Sequence, residues 1–292
     1  LSVSSETVKG LIFLENPNYN GSNRSLNVSA ESSVIDRLKT YGYESNKIGL
    51  SVGSGFEYYE DINLNIGISS FVEKLDTDKS ASANLKKQEG SYFDTFFNYS
   101  LDYDKRNQKF QPSDGFRSRF TQNFPLISDN NSLTNTYNFQ YYNELFEDNI
   151  TSYGLYASST NSLTGDDVKL SERLFLPSSK LRGFESGKVG PKDGSDFIGG
   201  NYALAFNAST TLPQILPNSQ NSNFSIFFDA ANIWGVDYSN NIKEDNSIRS
   251  SVGIAVDFFT PIGPLNFSLT EPITKGKNDI TESFRFNLGT TF

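Results

Sequence analysis

Histidine, cysteine and methionine are absent from the 292 residues, and tryptophan occurs once. Without cysteine there is no disulfide framework, no thiolate zinc site and no thiol nucleophile. Without histidine there is no Ser-His-Asp triad, no HExxH helix and no imidazole base. Long apolar runs are lacking too, since none approaches the roughly 18 residues of a membrane helix. Basic residues are outnumbered, 25 Lys+Arg to 34 Asp+Glu for a net charge of -9, and they form no stripe, so no nucleic-acid partner is expected. The chain also opens on Leu1 with no initiator methionine, as expected of a piece of a longer chain.

Aromatic residues are plentiful, with 25 Phe and 15 Tyr. A mean hydropathy of -0.46 would suit a soluble or disordered chain, but disordered chains are poor in aromatics. A polar, aromatic-rich chain with no amphipathic helix leaves one membrane class open. A β-barrel dilutes its lipid face with lumen residues and so escapes hydropathy plots.

Period-two alternation dominates outside the loops. Tyr202, Leu204, Phe206, Ala208, Thr210 and Leu212 alternate with Ala203, Ala205, Asn207, Ser209 and Thr211. Phe224, Ile226, Phe228 and Ala230 alternate with Ser225, Phe227, Asp229 and Ala231. The run 248–258 and the run 283–292 behave alike, the last placing Phe284, Phe286, Leu288 and Phe292 on one face and Arg285 and Asn287 on the other. Further strands are expected near 7–15, 24–33, 46–57, 60–72, 90–104, 116–127, 133–146, 150–160 and 264–272, about 13 in all. Most have the ten-odd residues that a tilted strand needs to cross a bilayer. The fold class this predicts is all-β, a transmembrane antiparallel barrel.

The connections alternate in size. Turns at 56–61, 147–149 and 261–264 are short, whereas 34–45, 73–89, 161–198, 234–247 and 273–281 are long and polar. That asymmetry is typical of outer-membrane barrels, although 105–115 and 213–221 are long where short turns are expected. A soluble β-sandwich also alternates, but would turn its apolar face inward. Alternation alone does not say which face is inside. Small and polar residues opposite the apolar set favour a hydrated lumen, and aromatics at strand ends (Tyr58, Tyr59, Tyr141, Tyr142, Trp234, Phe258, Phe259) favour interfacial girdles.

The longest loop carries Leu181-Arg182-Gly183-Phe184, then Val189-Gly190-Pro191-Lys192 and Ile198-Gly199-Gly200-Asn201. With Phe227-Phe228-Asp229 ahead of Trp234, Ser251-Val252-Gly253-Ile254-Ala255, Pro261-Ile262-Gly263-Pro264-Leu265 and a final aromatic, these motifs resemble the BamA family of outer-membrane protein assembly factors. Asn16-Pro17-Asn18-Tyr19 and Pro112-Ser113-Asp114-Gly115 resemble two periplasmic turns of that family. The resemblance spans essentially the whole chain and is densest from Leu181 to Phe292.

It implies a barrel of about 16 strands in the bacterial outer membrane, with loop 161–198 folded into the lumen. In that family the loop Arg pairs with an inward-facing Asp. Here these residues are Arg182, at a tip shared with Gly183 and Phe184, and Asp229, which alternation independently puts on the inner face. Where the family has a second acidic partner on the preceding strand, this chain carries Ser209, so a full three-residue network is not expected. The final strand, with Phe284, Phe286, Leu288 and Phe292, resembles the C-terminal signal of outer-membrane barrels. Mapped onto the family, Leu1 falls near the end of the third strand, so about two and a half strands and the periplasmic POTRA domains are expected to be missing. One lip of the first/last-strand seam would then be absent, and 1–292 alone would close imperfectly, because unpaired backbone groups are costly in lipid.

The function implied is insertion of unfolded outer-membrane protein clients into the lipid bilayer at that seam, with accessory lipoproteins engaging the periplasmic domains, no catalytic residue, no cofactor and no metal. A passive porin or receptor barrel, and a relative that assembles autotransporters or translocates a partner, are the rivals. An outer-membrane protease or phospholipase is disfavoured by the missing histidine. Asp76-Thr77-Asp78 and Asp166-Asp167 lack the Gly and terminal Glu of a calcium loop and read as solvated charges.

Overall fold

The computed structural model describes residues 2–3, 7–146, 149–212, 222–238, 242, 244, 246–260 and 263–288. Its strands are β1 (Ser2–Val3), β2 (Thr7–Asn16), β3 (Ser25–Arg37), β4 (Tyr43–Tyr59), β5 (Ile62–Thr77), β6 (Gly90–Asp104), β7 (Gly115–Ser128) and β8 (Ser132–Phe146). They continue with β9 (Asn149–Ser162), β10 (Lys192–Asp193), β11 (Asp196–Phe197), β12 (Tyr202–Leu212), β13 (Ser222–Trp234), β14 (Arg249–Thr260), β15 (Gly263–Thr274) and β16 (Phe284–Leu288). Two single helical turns, α1 (Leu38–Tyr41) and α2 (Ala83–Lys86), interrupt the loops. Among the described residues no helix is long and apolar enough to cross a membrane.

All strands except β10 and β11 join one sheet in chain order, each pair antiparallel, from β1 to β16. The β10–β11 hairpin belongs to the loop between β9 and β12. Among the described residues no ladder joins β16 to β1 or β2. The turns 147–148 and 261–262, the segment 213–221 and Phe292 lie outside the described residues.

Several strands run past the expected limits. Residues 34–37, 43–45 and 73–77, expected as loop, extend β3, β4 and β5. The apolar/polar contrast fades there because both faces leave the lipid, yet the backbone ladder continues unbroken from Tyr43↔Thr77 inward. Two strands carry an interior proline, each beside a register shift, while Pro264 stands at the start of β15. Phe96 faces Pro125 while Thr95 faces Ile127, and Ser251 faces Pro272 while Ser250 faces Thr274. A bulge is where a residue without an N–H does least harm to a ladder.

Burial decides the question that alternation leaves open. On β12, Ala203 and Ala205 are buried and Tyr202, Leu204 and Phe206 exposed; on β13, Ser225, Phe227 and Asp229 are buried while Ile226 and Phe228 are exposed. The apolar set points outward on strand after strand, the reverse of a soluble sandwich. Outward aromatics touch across neighbouring strands, as Tyr141 does Tyr153, and Tyr153 does Phe206, at centroid separations of 6.5 and 6.4 Å. The buried apolar clusters lie on the inside instead. One gathers Tyr43, Leu75, Leu85, Leu170 and Ile198; the other packs Leu176, Leu181, Phe184 and Val189 of the loop against Ala203, Ala205, Ala231 and Ile233 of β12 and β13.

Candidate functional site: the lumen loop and its docking on the barrel wall

The loop between β9 and β12 runs inside the sheet, and three cations anchor it in succession. Lys169 is fully buried, with Nζ 2.8 Å from Glu73 of β5, 2.5 Å from Asp94 of β6 and 3.4 Å from Glu172 of the loop. Burial drives the Glu172 carboxyl above its ordinary range, against the pull of Lys169. Burial lowers the Lys169 ammonium, but Glu172, Glu73 and Asp94 together hold it above its usual value. Four residues on, Arg173 pairs with Asp237, donates to Asn201 at 3.2 Å and lies 4.3 Å from the Tyr238 ring centroid.

The third anchor is the tip. Arg182 Nε and Nη2 donate to the two oxygens of Asp229 at 2.7 Å each, and the Arg182 backbone N–H adds a bond of 3.1 Å to Oδ2. Asp229 is completely buried, so a bidentate partner compensates its desolvation. The guanidinium carbon sits 3.4 Å from the Phe227 ring centroid. That ring in turn lies over Gly253, where a Cβ would come within 2.5 Å of it, so the β14 glycine makes the cation–π floor possible. Ser251 Oγ donates to the Arg182 carbonyl at 2.6 Å.

Gly183 has φ +87, and a Cβ there would stand 2.6 Å from Thr270 Cγ2, so backbone sign and space both call for glycine. The turn lets Phe184 fill the apolar cluster, where it is 1% exposed. The structure therefore brings the three tip residues Arg182, Gly183 and Phe184 against the wall, where Asp229 meets Arg182.

Ser209, at the position where the family has its second acid, does not face Asp229. Ser209 stands opposite Phe227 and donates to the Ile226 carbonyl. The residue facing Asp229 across β12–β13 is Asn207, whose Nδ2 donates to Asp229 Oδ1 at 2.8 Å and to the Lys180 carbonyl at 3.0 Å. A neutral amide satisfies the second carboxylate oxygen where another carboxylate would repel it.

On the final strand, Phe284 and Phe286 lie outward and about half exposed, both against Phe267 of β15, with Phe286 at 5.0 Å. Leu288 pairs with Leu265 in the ladder. Sequence reasoning missed Lys169, Arg173, Asn207, Arg285, and the buried pair of Arg249 with Asp279 (2.8 Å). Asn207, Arg249 and Arg285 carried a signal, their place on the inner face of a strand. Asp76 is held by Lys74 and Asp166 by Thr164, as ordinary loop charges are. Below the tip the lumen opens into a cavity of about 750 Å3 whose lining includes Arg117, Arg119, Tyr142, Lys180, Asp257 and Arg285.

An outward apolar face, an inward polar one and a loop docked in the interior define an outer-membrane β-barrel with an occupied lumen. The chain belongs to the Omp85 superfamily, whose domain matches residues 1–292, and its barrel is of the BamA type. It is 25% identical over 256 residues to the outer membrane protein assembly factor BamA of Neorickettsia risticii, covering 86% of this chain and 34% of that protein. The crystal structure of BamA from Haemophilus ducreyi lacking POTRA domains 1–3 superposes with a TM-score of 0.84 at 22% identity, over 97% of this chain and 62% of that one. CdiB from Acinetobacter baumannii superposes with a TM-score of 0.56 at 12% identity, over 97% of this chain and 56% of that one. The chain thus spans about a third of the length of the curated relative.

Proposed function

We propose that this barrel folds and inserts unfolded outer-membrane β-barrel proteins, acting through the seam between its first and last strands without covalent chemistry. The observation that carries the reading is the Arg182–Asp229 docking of a tip that touches four consecutive strands of the wall. Asp229 is on β13, Ser251 on β14 and Thr270 on β15, and the tip carbonyl of Phe184 accepts from Arg285 on β16. A machine that opens at one edge needs a brace beside it, and this tip spans the last four strands up to that edge. Client strands would add to the edge by β-augmentation, in which backbone hydrogen bonds supply affinity whatever the client's side chains. Accessory lipoproteins would act through periplasmic domains of the whole protein.

The test is reconstitution of the full-length protein in lipid vesicles with a urea-unfolded small barrel protein as client. Folding should be accelerated at least about tenfold over empty vesicles, and Arg182→Ala should abolish most of that gain. Steady ion conductance with no acceleration of client folding would make the barrel a passive pore instead.

A further inference from the structure

Arg285 is the one basic residue of β16, on its inner face between the outward Phe284 and Phe286. It borders the lumen cavity, but its guanidinium is taken up by the loop. Its Nη2 donates to the Phe184 carbonyl at 2.7 Å and its Nη1 to the Ser178 carbonyl at 3.2 Å, so one guanidinium grips both limbs of the loop turn. Nε and Nη2 also donate to Glu282, at 2.9 and 2.5 Å, which cancels the charge locally. The main chain reinforces this junction. Glu282 N–H donates to the Gly183 carbonyl at 3.0 Å, and Phe184 and Thr281 form an isolated antiparallel bridge.

Among the described residues β16 pairs with β15 along Leu265–Leu269 against Phe284–Leu288, and no ladder joins its other side to another strand. A strand paired on one side only frays easily unless something else seats it. The contacts that seat this one come from the same tip that Asp229 holds on β13.

We propose that Arg285 is a positioning residue that latches β16 to the lumen loop, so that docking of the tip on Asp229 and seating of the final strand form a single equilibrium. The planar fork suits the task, because two carbonyls on different limbs and a carboxylate demand three divergent donor directions. A lysine ammonium is a point charge that reaches fewer of them. The functional meaning rests on the seam reading above: releasing the latch would free the edge to which a client adds.

The experiment is hydrogen exchange on the full-length protein in lipid, read separately from client folding. Arg285→Gln should speed exchange of amides 280–288 and 178–186 by about tenfold or more, with β5 to β8 unchanged. Arg285→Lys should recover part of the protection, and Glu282→Gln, which spares both carbonyl bonds, should lose less than Arg285→Gln. Arg182→Ala should loosen 284–288 as well, although it touches β16 nowhere. Unaltered exchange at 280–288 in Arg285→Gln overturns the latch, whatever the client assay shows. Faster exchange there with no client folding by the wild type leaves the latch standing and removes the insertase reading.

Discussion

Asp229 and Arg182 differ in how much water each would regain if separated. Asp229 is wholly buried and cannot rehydrate in place, while the Arg182 side chain is 22% exposed. Removing the arginine is therefore the worse lesion. Arg182→Ala should weaken loop docking by about 3–5 kcal/mol, and Asp229→Asn by less, because the amide still accepts a hydrogen bond. Protease sensitivity at 178–190 in otherwise folded barrels measures the difference. Gly183→Ala should undock the tip too, through a left-handed backbone and the Thr270 contact, and equal protection in that variant would contradict the steric argument. Glu172 makes docking depend on pH. Its carboxyl is raised in the docked loop, so the docked state binds a proton that the free loop releases, and docking strengthens as pH falls toward the ordinary carboxylate range and weakens as it rises through the raised value. Lys169 stays charged throughout, with Glu73 and Asp94 facing the same point. Protection factors of 165–175 between about pH 5 and pH 8 should show this slope, and Glu172→Gln should flatten it.

At the scale of strands, the two faces of β14 should respond very differently to charge. Ile254 points outward near the middle of the strand, with Ser251 and Ala255 turned inward. Ile254→Arg should cost about 2–4 kcal/mol in a bilayer if that position lies at its midplane, and urea unfolding in lipid vesicles gives the number. The strands were largely legible in sequence because a two-residue period survives any register. Register itself was not. Asn207 rather than Ser209 faces Asp229, and neither strand's own pattern fixes which residues of the two stand opposite. Pro125 and Pro272 were legible only as irregularities; their bulges follow from the ladder. The loop anchors were illegible for a related reason, since a loop has no period, and Lys169 and Arg173 look like any other polar-loop cations until the chain brings Glu73, Asp94 and Asp237 to them.

The molecule as a whole is inside-out relative to a soluble β protein. Ile48, Leu50, Val52, Ile66, Ile68 and Val72 are exposed on adjoining strands, a patch far beyond what a soluble monomer leaves in water. The protein should remain monodisperse only in detergent or lipid, and a monomer stable in buffer on size-exclusion chromatography would contradict the barrel. The interior, by contrast, is built like a soluble core around the loop, with Phe184, Leu181 and Ile233 beside buried ion pairs. Stability of the loop and of the barrel should therefore be separable, with loop variants altering exchange inside the lumen before they alter the global transition.

The amino-acid sequence alone determined an array of alternating strands without thiol or imidazole, and the family resemblance carried by its motifs implied the pairing of Arg182 with Asp229, because alternation and motif are properties of consecutive residues. Tertiary structure decided which face meets lipid, that Asn207 completes the Asp229 site, and that Arg285 ties the final strand to the tip. The last two depend on groups 22 to 107 residues apart reaching hydrogen-bond distance, through pairing of β12 with β13 for Asn207 and through docking of the loop for Arg285.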